Sequence, residues 1–131
     1  MSIIKLHDLH FKPFIKEQEI NSIVKNLVQQ VEKGCKGETP IFIGILNGSF
    51  MFVSDFVKSY KGDCEVSFVK LASYQGTSSS EKVKQLVGIN ENLEGRTVVI
   101  LEDIVDTGNT LQEIYEIFKD KKVKQLKIAT L

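Results

Sequence analysis

The segment of the chain whose residue types are best suited to chemistry is residues 98–110. Two adjacent acidic residues, Glu102 and Asp103, follow its apolar first part. Residues 98–101 are Val-Val-Ile-Leu, a run that predicts a buried strand. Two carboxylates at the end of such a strand repel each other and lose hydration unless a cation or donor hydroxyls compensate. A sugar diol with Mg²⁺ would supply both, whereas two solvated loop acids are the plain alternative.

A threonine-glycine turn follows these acids at residues 107–110, where the sequence is Thr-Gly-Asn-Thr. The unpaired N–H groups and the dipole of a helix N-terminus favour a phosphate dianion, and Gly108 would let the backbone approach it. Taken alone, the turn is also typical of an ordinary capped helix. The apolar residues that follow at helical spacing predict one buried helix face: Leu111, Ile114, Tyr115 and Phe118.

Asp106 lies between the acidic pair and the threonine-glycine turn, three residues after Asp103. The distance from its carboxylate to the anion site would be about the distance between the phosphate and the nucleobase of a nucleotide. A carboxylate at that place can act as a general base if it reaches the proton that it removes. Taken alone, an aspartate at this position is equally suited to capping the helix. The sequence therefore makes Asp106 a candidate catalytic residue.

Other apolar segments predict the sheet that must hold these loops. Residues 41–46 form a continuous apolar run that predicts a buried parallel strand, and residues 66–71 and 124–131 predict two more. Helical spacing predicts helices over residues 17–31 and after Ser49, a candidate N-cap. The order of these elements predicts an α/β fold, a mostly parallel sheet with helices on both faces. Ligands of such sheets bind beyond the carboxyl ends of the strands.

The composition indicates one ordinary globular domain of 131 residues. Lysine plus arginine and aspartate plus glutamate are 17 each, and this balance argues against broad electrostatic binding of nucleic acid. No apolar run is long enough for a membrane span, and the N-terminus lacks the apolar core of a signal peptide. Cys35 and Cys64 make no disulfide framework, so we expect free thiols and a cytoplasmic location.

The complete pattern is an apolar strand, then Glu-Asp-x-x-Asp-Thr-Gly-x-Thr, then a helix. It resembles the phosphoribosyl-pyrophosphate-binding motif of the type I phosphoribosyltransferases. Two further segments favour the hypoxanthine-guanine phosphoribosyltransferases among them. Residues 44–52 are similar to their pyrophosphate-binding loop, and residues 71–74 to the start of their flexible catalytic loop. Residues 7–15 are similar to their N-terminal hood segment, so the resemblance covers nearly the whole chain.

The resemblance implies a role for each residue of the motif. Glu102 and Asp103 would hold the ribose hydroxyls and the Mg²⁺ shell. Asp106 would accept the purine proton, and Ile104 would lie near the base. The 5′-phosphate would be bound by Thr107, Gly108, Asn109 and Thr110.

The other two segments would complete the site. Leu46, Asn47 and Gly48 would contact pyrophosphate, in the family often through a cis peptide bond. Ser73 and Tyr74 would cover the reacting groups and exclude water. Without the neighbouring motifs, residues 47–48 would be read as a plain turn and residues 73–84 as a surface loop.

The implied reaction is Mg²⁺-dependent transfer of phosphoribose from phosphoribosyl pyrophosphate to hypoxanthine, and also guanine, giving inosine or guanosine monophosphate and pyrophosphate. The family's purine-reading lysine, base-stacking aromatic residue and late metal-binding aspartate come after the segment that ends here. We therefore expect the C-terminal part of the domain, with the residues that select the purine, to be missing from this chain. We expect a single domain over residues 1–131, with a hood in 1–15 and a core in 16–131. The resemblance also implies a homodimer or homotetramer.

Two other classes of function fit parts of the pattern. A non-catalytic regulator that senses phosphoribosyl pyrophosphate and binds nucleic acid would need a basic face, which the zero net charge does not favour. An interaction domain with a vestigial site would have lost its acids, yet Glu102, Asp103 and Asp106 are all present. Other phosphoribosyltransferases share the signature and stay open as an alternative, while the segments at residues 44–52 and 71–74 favour the 6-oxopurine enzymes.

Overall fold

The computed structural model describes residues 2–71, 85–89, 91–106 and 108–131. Ser73, Tyr74 and Thr107, three of the residues expected in the site, lie outside this described part. In chain order, the elements are β1 (Ile4–Leu6), β2 (Leu9–Phe11), α1 (Glu17–Gly34), β3 (Ile41–Leu46), α2 (Phe50–Ser59), β4 (Glu65–Leu71), β5 (Gln85–Val87), β6 (Thr97–Glu102), α3 (Asn109–Phe118) and β7 (Gln125–Thr130).

Five of the strands form one sheet in the order β5-β4-β3-β6-β7. The pairs β3–β4, β3–β6 and β6–β7 are parallel, whereas β5 runs antiparallel to its neighbour β4. β3 and β6 occupy the middle of the sheet, which explains why their sequences are nearly uninterrupted apolar runs. The predicted α/β fold with a mostly parallel sheet is confirmed.

Helices cover both faces of the sheet, as predicted. Alternate residues of a strand point to opposite faces. Phe42 of β3 therefore packs with α1 and α2 in one core cluster, while Ile41 and Ile43 pack with α3 in another. Within α3, Ile114 and Phe118 are buried, but Tyr115 is 63% exposed. The prediction that Tyr115 belongs to the buried face was wrong, because helical spacing alone does not fix how wide a stripe the sheet covers.

A separate two-stranded sheet lies at the N-terminus. β1 and β2 pair antiparallel, with Ile4 opposite Phe11 and Leu6 opposite Leu9. All of the residues of these two strands are exposed. The N-terminal segment therefore forms a hairpin of its own rather than an added strand of the main sheet. Among the described residues, no helix is long and apolar enough to cross a membrane.

Candidate ligand site at the carboxyl ends of β3 and β6

The two sequence motifs leave the sheet side by side. β3 and β6 are parallel neighbours, with Ile41 opposite Val98 and Gly44 opposite Leu101. Both strands therefore end at the same edge, and the segments that follow them start about one strand spacing apart. This edge is where open α/β sheets bind ligands.

Gly48 and Asp103 bring the two segments into contact. A Cβ atom built on Gly48 would lie 2.8 Å from the Asp103 Oδ2 and 3.4 Å from its Cγ. An added side chain at residue 48 would require the Asp103 carboxylate to move aside. The turn after β3 and the acids after β6 therefore form one continuous surface, which the sequence did not reveal because the two residues are 55 positions apart (103 − 48).

The turn after β3 is buried and hydrogen-bonded on one side and exposed to solvent on the other. The peptide bond between Leu46 and Asn47 is cis, as the resemblance implied. Ser49 is fully buried and its hydroxyl donates to the Ile45 carbonyl oxygen at 2.7 Å. It occupies the N-cap position of α2, as predicted, but it makes no side-chain cap hydrogen bond there. Asn47 and Gly48 are exposed and accessible to a ligand.

Glu102 is the acid with the most unusual environment in this site. Its side chain is buried, with 6% of its surface exposed, and its Oε1 accepts a hydrogen bond from the Asp103 N–H at 3.2 Å. Burial raises the pKa of Glu102 to about 7, helped by side-chain hydrogen bonding with Asp103 and by repulsion from that carboxylate. A buried acid with this pKa, beside a second carboxylate, is typical of a functional site.

The pKa of Glu102 predicts how stability depends on pH. Because this pKa lies above the ordinary value of 4.5, the folded chain binds more protons than the unfolded chain between pH 4.5 and about 7. The contribution of Glu102 to the free energy of unfolding is therefore largest below pH 4.5 and falls as the pH rises to about 7. Glu102→Gln should remove this decline, as measured by urea unfolding across the window. Glu19→Gln, at an exposed position of α1, should keep it. A decline that survives in Glu102→Gln would contradict this assignment.

The segment between β6 and α3 carries the remaining signature residues. Asp106 is exposed, and Ile104 exposes 71% of its surface. Gly108 is the N-cap of α3 with a φ of +80°, a conformation that glycine adopts without strain, and it offers no side chain to cap the helix. Asn109 and Thr110 are exposed in the first turn. The N-terminus of α3 can therefore accept an anion beside the two acids.

The donor set of this site suits a magnesium ion that arrives with a phosphate ligand. Among the described residues, no group of three or more histidines, cysteines or acids is arranged to hold a metal ion. Glu102 and Asp103 offer two carboxylates. Mg²⁺ is usually bound through one or two carboxylates, with substrate phosphates and water completing its shell. The pair therefore fits Mg²⁺ shared with a ligand rather than a structural metal.

Two other concave regions contain none of the signature residues. One, of about 300 Å³, lies between α1 and α2 and is lined by residues that include Lys25, Glu32 and Lys61. The other, of about 440 Å³, lies near the amino ends of β6 and β7 and is lined by residues that include Glu38 and Arg96. In the second region Glu38 is already paired with Lys124 and hydrogen-bonded to Thr97. Neither offers the paired acids and helix N-terminus found at the carboxyl edge.

Comparison with known proteins identifies the family. Residues 15–131 match the model of the phosphoribosyl transferase domain. The hypoxanthine-guanine phosphoribosyltransferase of Streptococcus pyogenes serotype M3 is 40% identical over 121 residues, which are 92% of this chain and 67% of that protein. The chain therefore belongs to the phosphoribosyltransferase family, and its relatives are enzymes of the purine-salvage type.

Solved structures agree with this assignment. The hypoxanthine-guanine phosphoribosyltransferase of Bacillus anthracis superposes with a TM-score of 0.85 at 36% identity, over 92% of this chain and 72% of that one. The hypoxanthine phosphoribosyltransferase of Trypanosoma cruzi, solved as a point mutant in complex with the product IMP, gives a TM-score of 0.83 at 28% identity, over 98% of this chain and 70% of that one. The resemblance predicted from the sequence is confirmed.

Proposed function

We propose that this chain binds phosphoribosyl pyrophosphate with Mg²⁺ and serves the transfer of its phosphoribose to hypoxanthine or guanine. The products are inosine or guanosine monophosphate and pyrophosphate. The contact between Gly48 and Asp103 carries the proposal, because it joins a turn that suits pyrophosphate to the acids that suit ribose and metal. The Trypanosoma cruzi relative was solved with the product IMP, which supports a purine nucleotide as the product.

Each part of phosphoribosyl pyrophosphate has a matching part of the site. The 5′-phosphate binds at the N-terminus of α3, where backbone N–H groups and the helix dipole favour an anion. The ribose hydroxyls donate to the carboxylates of Glu102 and Asp103. The pyrophosphate lies against Leu46, Asn47 and Gly48, since the last two residues are exposed beside Asp103. The 5′-phosphate, the ribose and the pyrophosphate then lie in this order across the carboxyl ends of the strands.

Mg²⁺ would be held by Glu102 and Asp103, and when bound it neutralises charge on the departing pyrophosphate. The carboxylates also orient the ribose, because each ionised oxygen accepts from a hydroxyl. The bond between ribose C1 and the pyrophosphate oxygen breaks with its electron pair leaving on pyrophosphate, and a bond from C1 to a purine ring nitrogen forms. Asp106 accepts the proton that the purine loses, which its exposed position in the loop permits.

The remaining assignments complete the proposal. Ile104 exposes a large apolar surface in the loop of Asp106 and offers a contact for the flat face of a base. Ser73 and Tyr74 cover the site during the reaction and exclude water. The compartment is the cytoplasm, because Cys35 and Cys64 are both free thiols. The working form is a homodimer or homotetramer, as in the family that the sequence resembles.

Calorimetric titration with phosphoribosyl pyrophosphate tests the proposal through Gly108→Val. The unchanged chain should bind in the presence of Mg²⁺ and lose most of its affinity without it. Gly108→Val should bind below detection, because a branched side chain at a φ of +80° strains the turn and blocks the phosphate.

Gly37→Val is the matched control for this experiment. Gly37 has a φ of +82°, and among the described residues other than its chain neighbours neither glycine has an atom within 4 Å of an added Cβ, so the two substitutions impose similar backbone strain. Gly37 lies in the loop between α1 and β3, and its variant should keep Mg²⁺-dependent binding. Equal affinities for the two variants would contradict phosphate binding at Gly108. No binding by the folded, unchanged chain would contradict the proposed function.

Asp106→Asn tests the catalytic assignment. The amide cannot accept the purine proton, so the turnover of the complete enzyme with hypoxanthine should fall by roughly 10²–10⁴-fold, while the affinity for phosphoribosyl pyrophosphate should stay near that of the unchanged protein. Steady-state kinetics and calorimetry measure the two quantities. Asp120→Asn, at an exposed position after α3, is the control and should leave both unchanged. Undiminished turnover in Asp106→Asn would remove the role assigned to Asp106.

A further inference from the structure

The hydroxyl group of Thr130 is buried and makes no hydrogen bond to the described residues. In the part of the chain that the structure describes, its Oγ1 is the buried side-chain polar atom that has no hydrogen-bond partner. Burying a hydroxyl without a partner costs free energy, and most buried polar atoms in folded proteins are paired. An exception of this kind calls for an explanation in terms of packing or function.

The sheet places Thr130 beside Glu102. β6 and β7 are parallel, and Thr130 is the register partner of Glu102 at the carboxyl end of both strands. Leu101 and Ala129, one residue earlier, belong to the core cluster on the α1 and α2 face. Because strand residues alternate between faces, Glu102 and Thr130 both point to the α3 face, on strands about 4.8 Å apart.

The Glu102 carboxylate has room for another hydrogen bond. Its Oε1 accepts the Asp103 N–H. A carboxylate has about four lone-pair sites, so it can accept a buried hydroxyl and still accept from a ligand. The Thr130 hydroxyl can change its direction by rotation about the Cα–Cβ bond, since threonine has more than one staggered position available.

We propose that Thr130 is a positioning residue for Glu102. This inference rests on the proposed function. When the pentose binds, the Thr130 hydroxyl donates to the Glu102 carboxylate and holds one of its oxygens against β7. The other oxygen then faces the ribose hydroxyls. The orientation of the acid is fixed by the protein, which lowers the cost of ordering it on binding.

Two substitutions separate this role from packing. Thr130→Val keeps the branched shape and removes the hydroxyl, whereas Thr130→Ser keeps the hydroxyl and removes a methyl group. For phosphoribosyl pyrophosphate with Mg²⁺, calorimetry should give a Kd about tenfold higher for Thr130→Val, which corresponds to about 1.4 kcal/mol. The Kd of Thr130→Ser should stay within about twofold of the unchanged chain. The Tm of Thr130→Val should equal or exceed that of the unchanged chain, because an unpaired buried hydroxyl is lost.

Other affinities and Tm values of these variants would overturn the positioning role of Thr130 in distinguishable ways. Unchanged affinity in Thr130→Val, with the unchanged chain binding, would overturn the positioning role alone. Weaker binding in both variants, together with a lower Tm, would assign Thr130 to packing and also overturn it. No binding by the folded, unchanged chain would overturn the proposed function and this inference with it. In a Glu102→Gln background, Thr130→Val should add little further loss, and an undiminished loss there would show that the hydroxyl does not act through Glu102.

Discussion

The close approach of Gly48 to the Asp103 carboxylate is the constraint on which the candidate site depends. It fixes the turn after β3 against the acids after β6, with only 2.8 Å between the position of an added Cβ and Oδ2. The two strands are parallel neighbours in the middle of the sheet, so their loops start side by side without help from other parts of the chain. A ligand with two charged ends and a diol between them can therefore meet both loops together.

Glu102 is the residue at which this arrangement lowers the stability of the folded chain. The fold buries an acid next to another acid, and the result is a pKa of about 7 rather than 4.5. Such an environment weakens the folded state near neutral pH, and a bound cation would offset this loss by favouring the ionised carboxylate. Thr130 also has a polar group in an unfavourable environment, because its hydroxyl is buried without a hydrogen-bond partner on the strand next to Glu102.

Much of the fold was predictable because local patterns and the final structure agree. The apolar runs that became β3 and β6 predicted buried strands of a parallel sheet, and the spacing in α3 identified Ile114 and Phe118 as buried. Tyr115 was placed wrongly, since helical periodicity does not say where the sheet stops covering the helix. The N-terminal hairpin was not predicted, although Ile4-Lys5-Leu6 and Leu9-His10-Phe11 both alternate apolar and polar residues, because the two runs are short and the turn at residues 7–8 carries no typical hairpin sequence.

The sequence predicted a set of candidate site residues but not the contacts between them. The signature singled out the acids, the glycine and the threonines, and the roles that the resemblance implies for them stay predictions. The contact of Gly48 with Asp103 and the register of Thr130 with Glu102 join distant segments, so no local pattern encodes them. The burial of Glu102 was also hidden, because an acid at the end of a strand is usually solvated.

A double-mutant cycle on Gly48→Ala and Asp103→Ala tests most directly whether the two loops form one site. The measured quantity is the Kd for phosphoribosyl pyrophosphate with Mg²⁺. Gly48→Ala should weaken binding by displacing the Asp103 carboxylate, and it should weaken it far less once Asp103 is already alanine, leaving a coupling energy of about 1 kcal/mol or more. Free energies that add within about 0.5 kcal/mol would show that the loops act independently and would contradict the account.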